Sequence, residues 1–242
     1  MSDTTTITAE LHRPLHRDPG RRGVWLLPVA ASVTAWATFE HQPDVSTQFT
    51  DWARFVTTDR FLANHLLGSI LGQAMWMLGA ASITALAVAG GRRVRAAVVG
   101  LVAMVLGGVG LVAGFGVAAF AQPAIGHLEL AGVAGAHDVY DDVYGIPTLV
   151  TLVGGGLLFA AATVLLARAA AAFDGVPRWA SLAFGASGPL IGFLGIGVGV
   201  LQTVGSVAAL VGSTAIALAV RRSVPTILTD PPEGSDRHVR AA

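Results

Sequence analysis

The sequence predicts an all-α integral membrane protein, a six-transmembrane-helix bundle with both termini in the cytoplasm. Hydrophobic residues make up 53% of the 242 residues and charged residues only 12%, against roughly 25% charged residues in an average soluble domain. Several long segments contain no charged residue, and the arginines are distributed very unequally among the segments that connect them. The first two observations predict membrane spans, and the third predicts their orientation.

The amino-acid composition indicates the kind of organism and membrane and excludes several kinds of site. Every basic residue is Arg, Cys is absent, and Ala, Gly and Val dominate. This usage suggests a bacterial genome of high GC content, so we expect a multi-pass protein of the bacterial cytoplasmic (inner) membrane. Without Cys, disulfides, thiolate metal sites and cysteine nucleophiles are excluded. We expect the lipid bilayer as a partner, and no nucleic acid.

The first span is predicted at about 24–39, after a disordered basic tail at 1–22. Arg21 and Arg22 before a short apolar stretch are also typical of a cleavable signal peptide. Five further apolar segments follow, and Trp36 interrupts the small residues that a cleavage site needs. We therefore favour an uncleaved span.

Residues 40–60 predict a short amphipathic helix on the outer membrane surface, because Phe49, Trp52, Ala53 and Val56 recur at helical spacing. A packed loop with scattered aromatic residues is the alternative. Either Thr58 or Asp59 can cap the span that follows.

Three spans follow at about 61–89, 96–121 and 146–167. Between the first two lies a tight turn with three arginines at 90–95. The third span of the chain is rich in glycine and is predicted to end at Pro123, because proline interrupts helical hydrogen bonding. Residues 122–145 form a second outer loop.

Residues 179–220 contain no charge, and one helix of that length would be about 60 Å long, twice the hydrocarbon thickness. Two spans, at about 179–197 and 201–220, are therefore predicted, with Pro189 kinking the first. A disordered cytoplasmic tail is expected at 223–242.

Loop charges set the orientation, because arginine-rich loops stay in the cytoplasm. Thirteen of the 15 arginines fall in the tails and in the loops at 90–95 and 168–178. Only Arg54 and Arg60 fall in the other loops, which carry eight carboxylates. Both termini are therefore predicted to be cytoplasmic.

Glycines four residues apart predict close helix packing, at Gly68/Gly72, Gly110/Gly114, Gly188/Gly192 and Gly195/Gly199. Such faces can also join this chain to a membrane-protein partner or to a second copy as a homo-oligomer.

One polar cluster lies inside a span and is the candidate ligand or proton site. At 100° per residue, His65, Ser69, Gly72 and Trp76 share a strip about 60° wide, with Gln73 beside it and Asn64 next to His65. A structural histidine that bonds to a neighbouring helix is the alternative.

A second cluster, in the outer loop, is a candidate for a divalent cation, and the sequence identifies no other cofactor. It consists of His127, Glu129, His137, Asp138, Asp141 and Asp142. If 137–142 is helical, the His137/Asp141 and Asp138/Asp142 pairs lie on the same faces and offer imidazole and oxygen ligands. A solvated acidic rim is the alternative.

Residues 52–79, an amphipathic segment leading into FLANHLLGSILG, resemble a segment of uncharacterised bacterial multi-span inner-membrane proteins. The resemblance implies the class of protein and the position of His65, and it implies no activity.

No catalytic motif is recognisable, so we expect a binding, transport or accessory module for a partner or apolar small molecule near the outer leaflet. The alternative is a metal-dependent membrane enzyme that uses the outer-loop histidines and carboxylates. An outer loop folded so that His65 approaches His137 would favour the enzyme, and splayed loops with an apolar groove would favour the module.

Overall fold

The computed structural model describes residues 19–40, 42–195 and 198–223. In these residues the regular structure is helical, without strands. The helices are α1 (Pro19–Gly23), α2 (Leu26–Thr38), α3 (Phe49–Val56), α4 (Asp59–Ala89), α5 (Val94–Leu130), α6 (Ala136–Val143), α7 (Ile146–Ala170), α8 (Arg178–Pro189, continued as a π-helix over Leu190–Leu194) and α9 (Gly199–Arg222). The prediction of an all-helical protein is confirmed.

Four of these helices, α4, α5, α7 and α9, are long and apolar enough to cross a membrane. They expose large apolar side chains such as Leu106, Val109 and Val150. The other two helices at predicted spans, α2 and α8, are shorter. Together the helices give the chain the architecture of a membrane protein.

Six helices form a ring in which each packs on its neighbour. α2 packs on α4, α4 on α5, α5 on α7, α7 on α8, α8 on α9, and α9 returns to α2. Both short helices are therefore full members of the bundle. Val24, Leu27 and Ala31, at the start of the predicted first span, are completely buried in the core. Pro19–Gly23 is helical, so the prediction of a disordered tail as far as residue 22 is wrong for these residues, while 1–18 and 224–242 lie outside the described residues.

α5 continues to Leu130 with Pro123 inside it, so the prediction that this helix ends at Pro123 is wrong. A proline costs one backbone hydrogen bond, and packing on the extended part compensates for it. Both α3 and α6 pack on α5, and the backbone of α3 comes so close to Gly126 that a Cβ there would lie 2.9 Å from the Ala53 carbonyl oxygen.

The amphipathic helix predicted before the second span exists as α3, but its apolar face is covered by protein. Trp52, Ala53 and Val56 are completely buried. Trp52 meets Tyr140 of α6 at 5.1 Å between ring centroids. The prediction of a helix lying on the membrane surface is therefore corrected, because α5 and α6 cover the side that would face lipid. The end of the ring that carries these two helices is called the α3/α6 end below.

The Thr58 hydroxyl caps α4 by accepting from the Phe61 N–H at 3.2 Å, as predicted.

Two π-helical segments interrupt the ring helices near the site. In α4 the π-helix covers Asn64–Leu71. The other irregularity is the π-helix after Pro189, where a kink was expected. Such wide turns are frequent at functional sites.

Glycines let the ring helices approach one another closely. A Cβ on Gly110 or Gly192 would lie 3.2 Å and 2.7 Å from a carbonyl oxygen of α7. The predicted packing role is confirmed there. Gly199 differs, because a Cβ on it would meet nothing within 4 Å.

Candidate functional site

The ring encloses a cavity of about 460 Å³, and all six of its helices contribute to the wall. The lining comprises Thr34, Ala37 and Thr38 of α2; Phe61, Asn64, His65, Gly68, Ser69, Gln73 and Trp76 of α4; Leu111, Gly114, Phe115, Ala118 and Gln122 of α5; Leu152 and Phe159 of α7; Ile191 and Gly192 of α8; Gln202 of α9; Phe55 of α3; and Glu40, Gln42 and Tyr144 from segments between helices. Because the last four residues lie at the α3/α6 end, the cavity lies toward that end of the ring.

All five residues of the predicted intramembrane site line this cavity. They are Asn64, His65, Ser69, Gln73 and Trp76. The first three belong to the π-helix of α4, whose backbone lies against α2: a Cβ on Gly68 would be 2.7 Å from the Ala37 Cβ and 3.2 Å from the Val33 carbonyl oxygen. This contact holds the polar turn of α4 in the wall.

A buried carboxylate whose partner is an exposed arginine lies at the α3/α6 end of the cavity. The Glu40 side chain is only 7% exposed, and its carboxylate contacts the Arg60 guanidinium. Its second oxygen accepts a hydrogen bond from Asn64 Nδ2 at 2.9 Å. Since Asn64 Nδ2 also lies 3.3 Å from the Ala37 carbonyl oxygen, the amide orientation is fixed. The carboxylate is thus compensated by one cation and one amide.

The His65 ring is oriented by its own helix. Nδ1 lies 3.0 Å from the Phe61 carbonyl oxygen, and the ring packs on the Phe61 ring at 4.1 Å between centroids. A carbonyl oxygen only accepts, so Nδ1 carries the proton in this bond. Nε2 has no hydrogen-bond partner among the described residues.

Trp76 forms the aromatic floor. It is 1% exposed, its Nε1–H donates to Thr34 Oγ1 at 3.3 Å, and its ring meets Phe159 edge-on at 5.4 Å. Above it, the buried Gln73 has only a weak partner, Met104 Sδ at 3.8 Å from Nε2. The Gln73 amide can therefore still form hydrogen bonds with a ligand next to the Trp76 ring.

A second polar group joins the wall from α5. Gln122 Nε2 donates to the Tyr144 hydroxyl oxygen at 2.6 Å, and Gln42 Nε2 reaches Gln122 Oε1 at 3.5 Å. Burial raises the pKa of the Tyr144 hydroxyl well above its ordinary range. The hydroxyl therefore stays protonated and can donate into the cavity.

The six residues of the predicted outer-loop metal site lie elsewhere, on the end of α5 and on α6, and outside the cavity wall. Residues 137–142 are helical as expected, and His137 Nδ1 lies 3.4 Å from Asp141 Oδ2. Glu129 instead accepts from the Thr50 hydroxyl at 2.7 Å, and His137 packs on Phe49. In the described parts of the chain, no three His, Asp or Glu residues form a group that could hold a metal ion.

Sequence reasoning missed Glu40, Gln122, Tyr144 and Gln202. Glu40 directly follows the first span, which is the one signal that could have identified it. The expected helix end at Pro123 placed Gln122 in a loop, whereas α5 continues through it. Tyr144 lies between α6 and α7, and a loop position gives no signal that its side chain enters the cavity.

No protein-family profile matches the sequence, and comparisons with curated proteins and with solved structures find no significant match. The cavity is therefore the feature from which we infer a function.

Proposed function

We propose that the chain is a six-span protein of the bacterial inner membrane that binds a small, largely apolar molecule in the cavity, as a binding, transport or accessory module. The observation that carries the proposal is the cavity of about 460 Å³ into which five predicted polar and aromatic residues converge. Small-molecule sites commonly have volumes of roughly 300–1,000 Å³ and mostly apolar walls with a few polar groups.

The positions of the two short helices in the ring support six membrane spans rather than four. α2 and α8 pack on both neighbours as the four long helices do. The arginine-rich turn at 90–95 and the loop before α8 lie at one end, where Arg92 contacts Asp174. By the positive-inside rule this end is cytoplasmic and the α3/α6 end faces outward. The cavity then lies in the outer half of the membrane.

The charge of the wall supports an uncharged ligand. Among the described residues that line the cavity, Glu40 is the only carboxylate, and Arg60 and Asn64 already compensate it. A charged ligand would lose its hydration without finding an unpaired opposite charge.

The alternative, a metal-dependent membrane enzyme, has one supporting observation, the His137–Asp141 pair. A catalytic metal site usually has three protein ligands. The cavity is therefore the better-supported site.

Association with a membrane-protein partner or a second copy is part of the proposal. Most predicted packing glycines contact other helices of the same chain, but a Cβ on Gly116 or Gly154 would meet nothing within 4 Å. These open positions allow close approach by another helix.

The test is a fluorescence titration of the full chain in lipid nanodiscs. The probe is 4-(6-bromohexyl)phenol, whose bromine quenches tryptophan on close approach. Saturable quenching is expected in the parent, and its saturable part should disappear in Trp76→Phe. Trp179→Phe is the control, because Trp179 is 54% exposed and lies outside the cavity. Quenching that stays linear with probe concentration in the parent would refute the proposal.

A further inference from the structure

The cavity wall presents a hydrogen-bond acceptor at His65. The bond from Nδ1 to the Phe61 carbonyl oxygen requires the proton on Nδ1. In the neutral ring, Nε2 then carries a lone pair. No donor among the described residues reaches this lone pair, so it is open to a ligand.

Hydroxyl and amide groups follow on the same helix. The Ser69 hydroxyl and the Gln73 carbonyl oxygen have no hydrogen-bond partner in the described chain, and both residues line the cavity. Ser69 lies about one turn below His65. A ligand hydroxyl can donate to one neighbour and accept from another, so it can satisfy His65 Nε2 and the Ser69 hydroxyl together.

Apolar side chains also line the cavity, among them Leu111, Ile191 and Phe159, and Phe159 packs on the Trp76 floor. Trp76 lies 11 positions after His65 along α4, which corresponds to roughly 16 Å of helix. This is enough for a phenyl ring carrying a short alkyl chain.

We infer that the ligand of this cavity is a neutral alcohol or phenol with an apolar tail, whose hydroxyl donates to His65 Nε2. The inference rests on the proposed function and adds the chemical class of the ligand. It also predicts weaker binding of molecules that only accept hydrogen bonds, such as ethers and ketones, because they leave His65 Nε2 unpaired.

The test compares 4-(6-bromohexyl)phenol with its methyl ether, which has the same tail and bromine but no O–H donor. Both are titrated into the nanodisc-embedded chain, and each Kd is corrected for the partition of that probe into empty nanodiscs. The phenol should bind at least about tenfold more tightly, the usual effect of one buried hydrogen bond. Equal corrected affinities in the parent would overturn the inference.

The His65→Leu variant then tests whether the preference for the phenol over its methyl ether depends on His65. The ratio of ether Kd to phenol Kd should fall to about one, while ether affinity changes by less than about threefold. His127→Leu, outside the cavity, should keep the parental ratio. If His65→Leu does not fold, His65→Gln replaces it, because its amide oxygen still accepts and should retain a phenol preference. The inference is overturned if folded His65→Leu keeps the parental ratio of ether Kd to phenol Kd. It is also overturned if folded His65→Gln no longer binds the phenol more tightly than the ether. Failure of both probes to saturate the parent instead refutes the proposed function.

Discussion

Gly156→Ala is the sharpest test of the ring packing. In α7, a Cβ on Gly156 would lie 1.8 Å from the Gly192 carbonyl oxygen of α8. Real Cβ atoms essentially never approach closer than 3.0 Å, so the two backbones must separate by about 1.2 Å. Neither contacting group is a flexible side chain that could move aside. Overpacking typically costs about 1–3 kcal/mol, and the gain in helix propensity offsets about 0.5–1 kcal/mol of it. We expect a net loss of about 1 kcal/mol.

Gly154→Ala is the matched control two residues away. A Cβ there meets nothing within 4 Å, so the same chemical change should be neutral or stabilising by up to about 1 kcal/mol. The free energy of unfolding is measured by SDS titration in mixed micelles, with fluorescence of Trp76, which packs on Phe159 of α7, reporting the transition. Equal stabilities of the two variants would contradict the packing of α7 on α8.

Three further predictions concern the two ends of the ring. Asp44→Cys should react with an impermeant maleimide from outside intact cells and Arg93→Cys should not, because the arginine-rich turn is expected in the cytoplasm. The native chain has no Cys, so there is no background labelling; the reverse pattern would invert the topology. Arg60→Gln should lower the free energy of unfolding by about 1–2 kcal/mol because it leaves a buried carboxylate without its cation, whereas Arg54→Gln, which breaks an exposed pair, should cost less than about 0.5 kcal/mol. Burial raises the pKa of Tyr144, so ionisation is costlier in the folded chain and stability should fall as pH rises above about 10; Tyr144→Phe should reduce that fall in a pH series of melting temperatures.

The helices could be read from the sequence where one physical factor dominates. Uncharged runs located every ring helix, and Thr58 marked the start of α4 through its capping hydroxyl. The error at Pro123 has a clear cause. Local propensity predicted a helix end there, but contacts with α3 and α6 carry the helix on. Those contacts join segments far apart in sequence, which periodicity does not reveal.

The site was predictable on α4 and not on the other helices. A helical wheel gathered His65, Ser69 and Trp76 because they belong to one segment. It gave no indication that α5 and the segment after α2 would bring Gln122 and Glu40 to the same cavity. The π-helix was also invisible, since a 100° rotation per residue was assumed throughout.

If the cavity holds a small, largely apolar molecule, anomalous X-ray diffraction will locate a brominated ligand inside it. Crystals grown with 4-(6-bromohexyl)phenol are measured at the bromine absorption edge. We expect one strong bromine peak inside the ring beside Trp76 and Phe159, with the phenol oxygen within hydrogen-bond distance of His65 Nε2. Bromine peaks found only on the lipid-facing surface of the helices would contradict it.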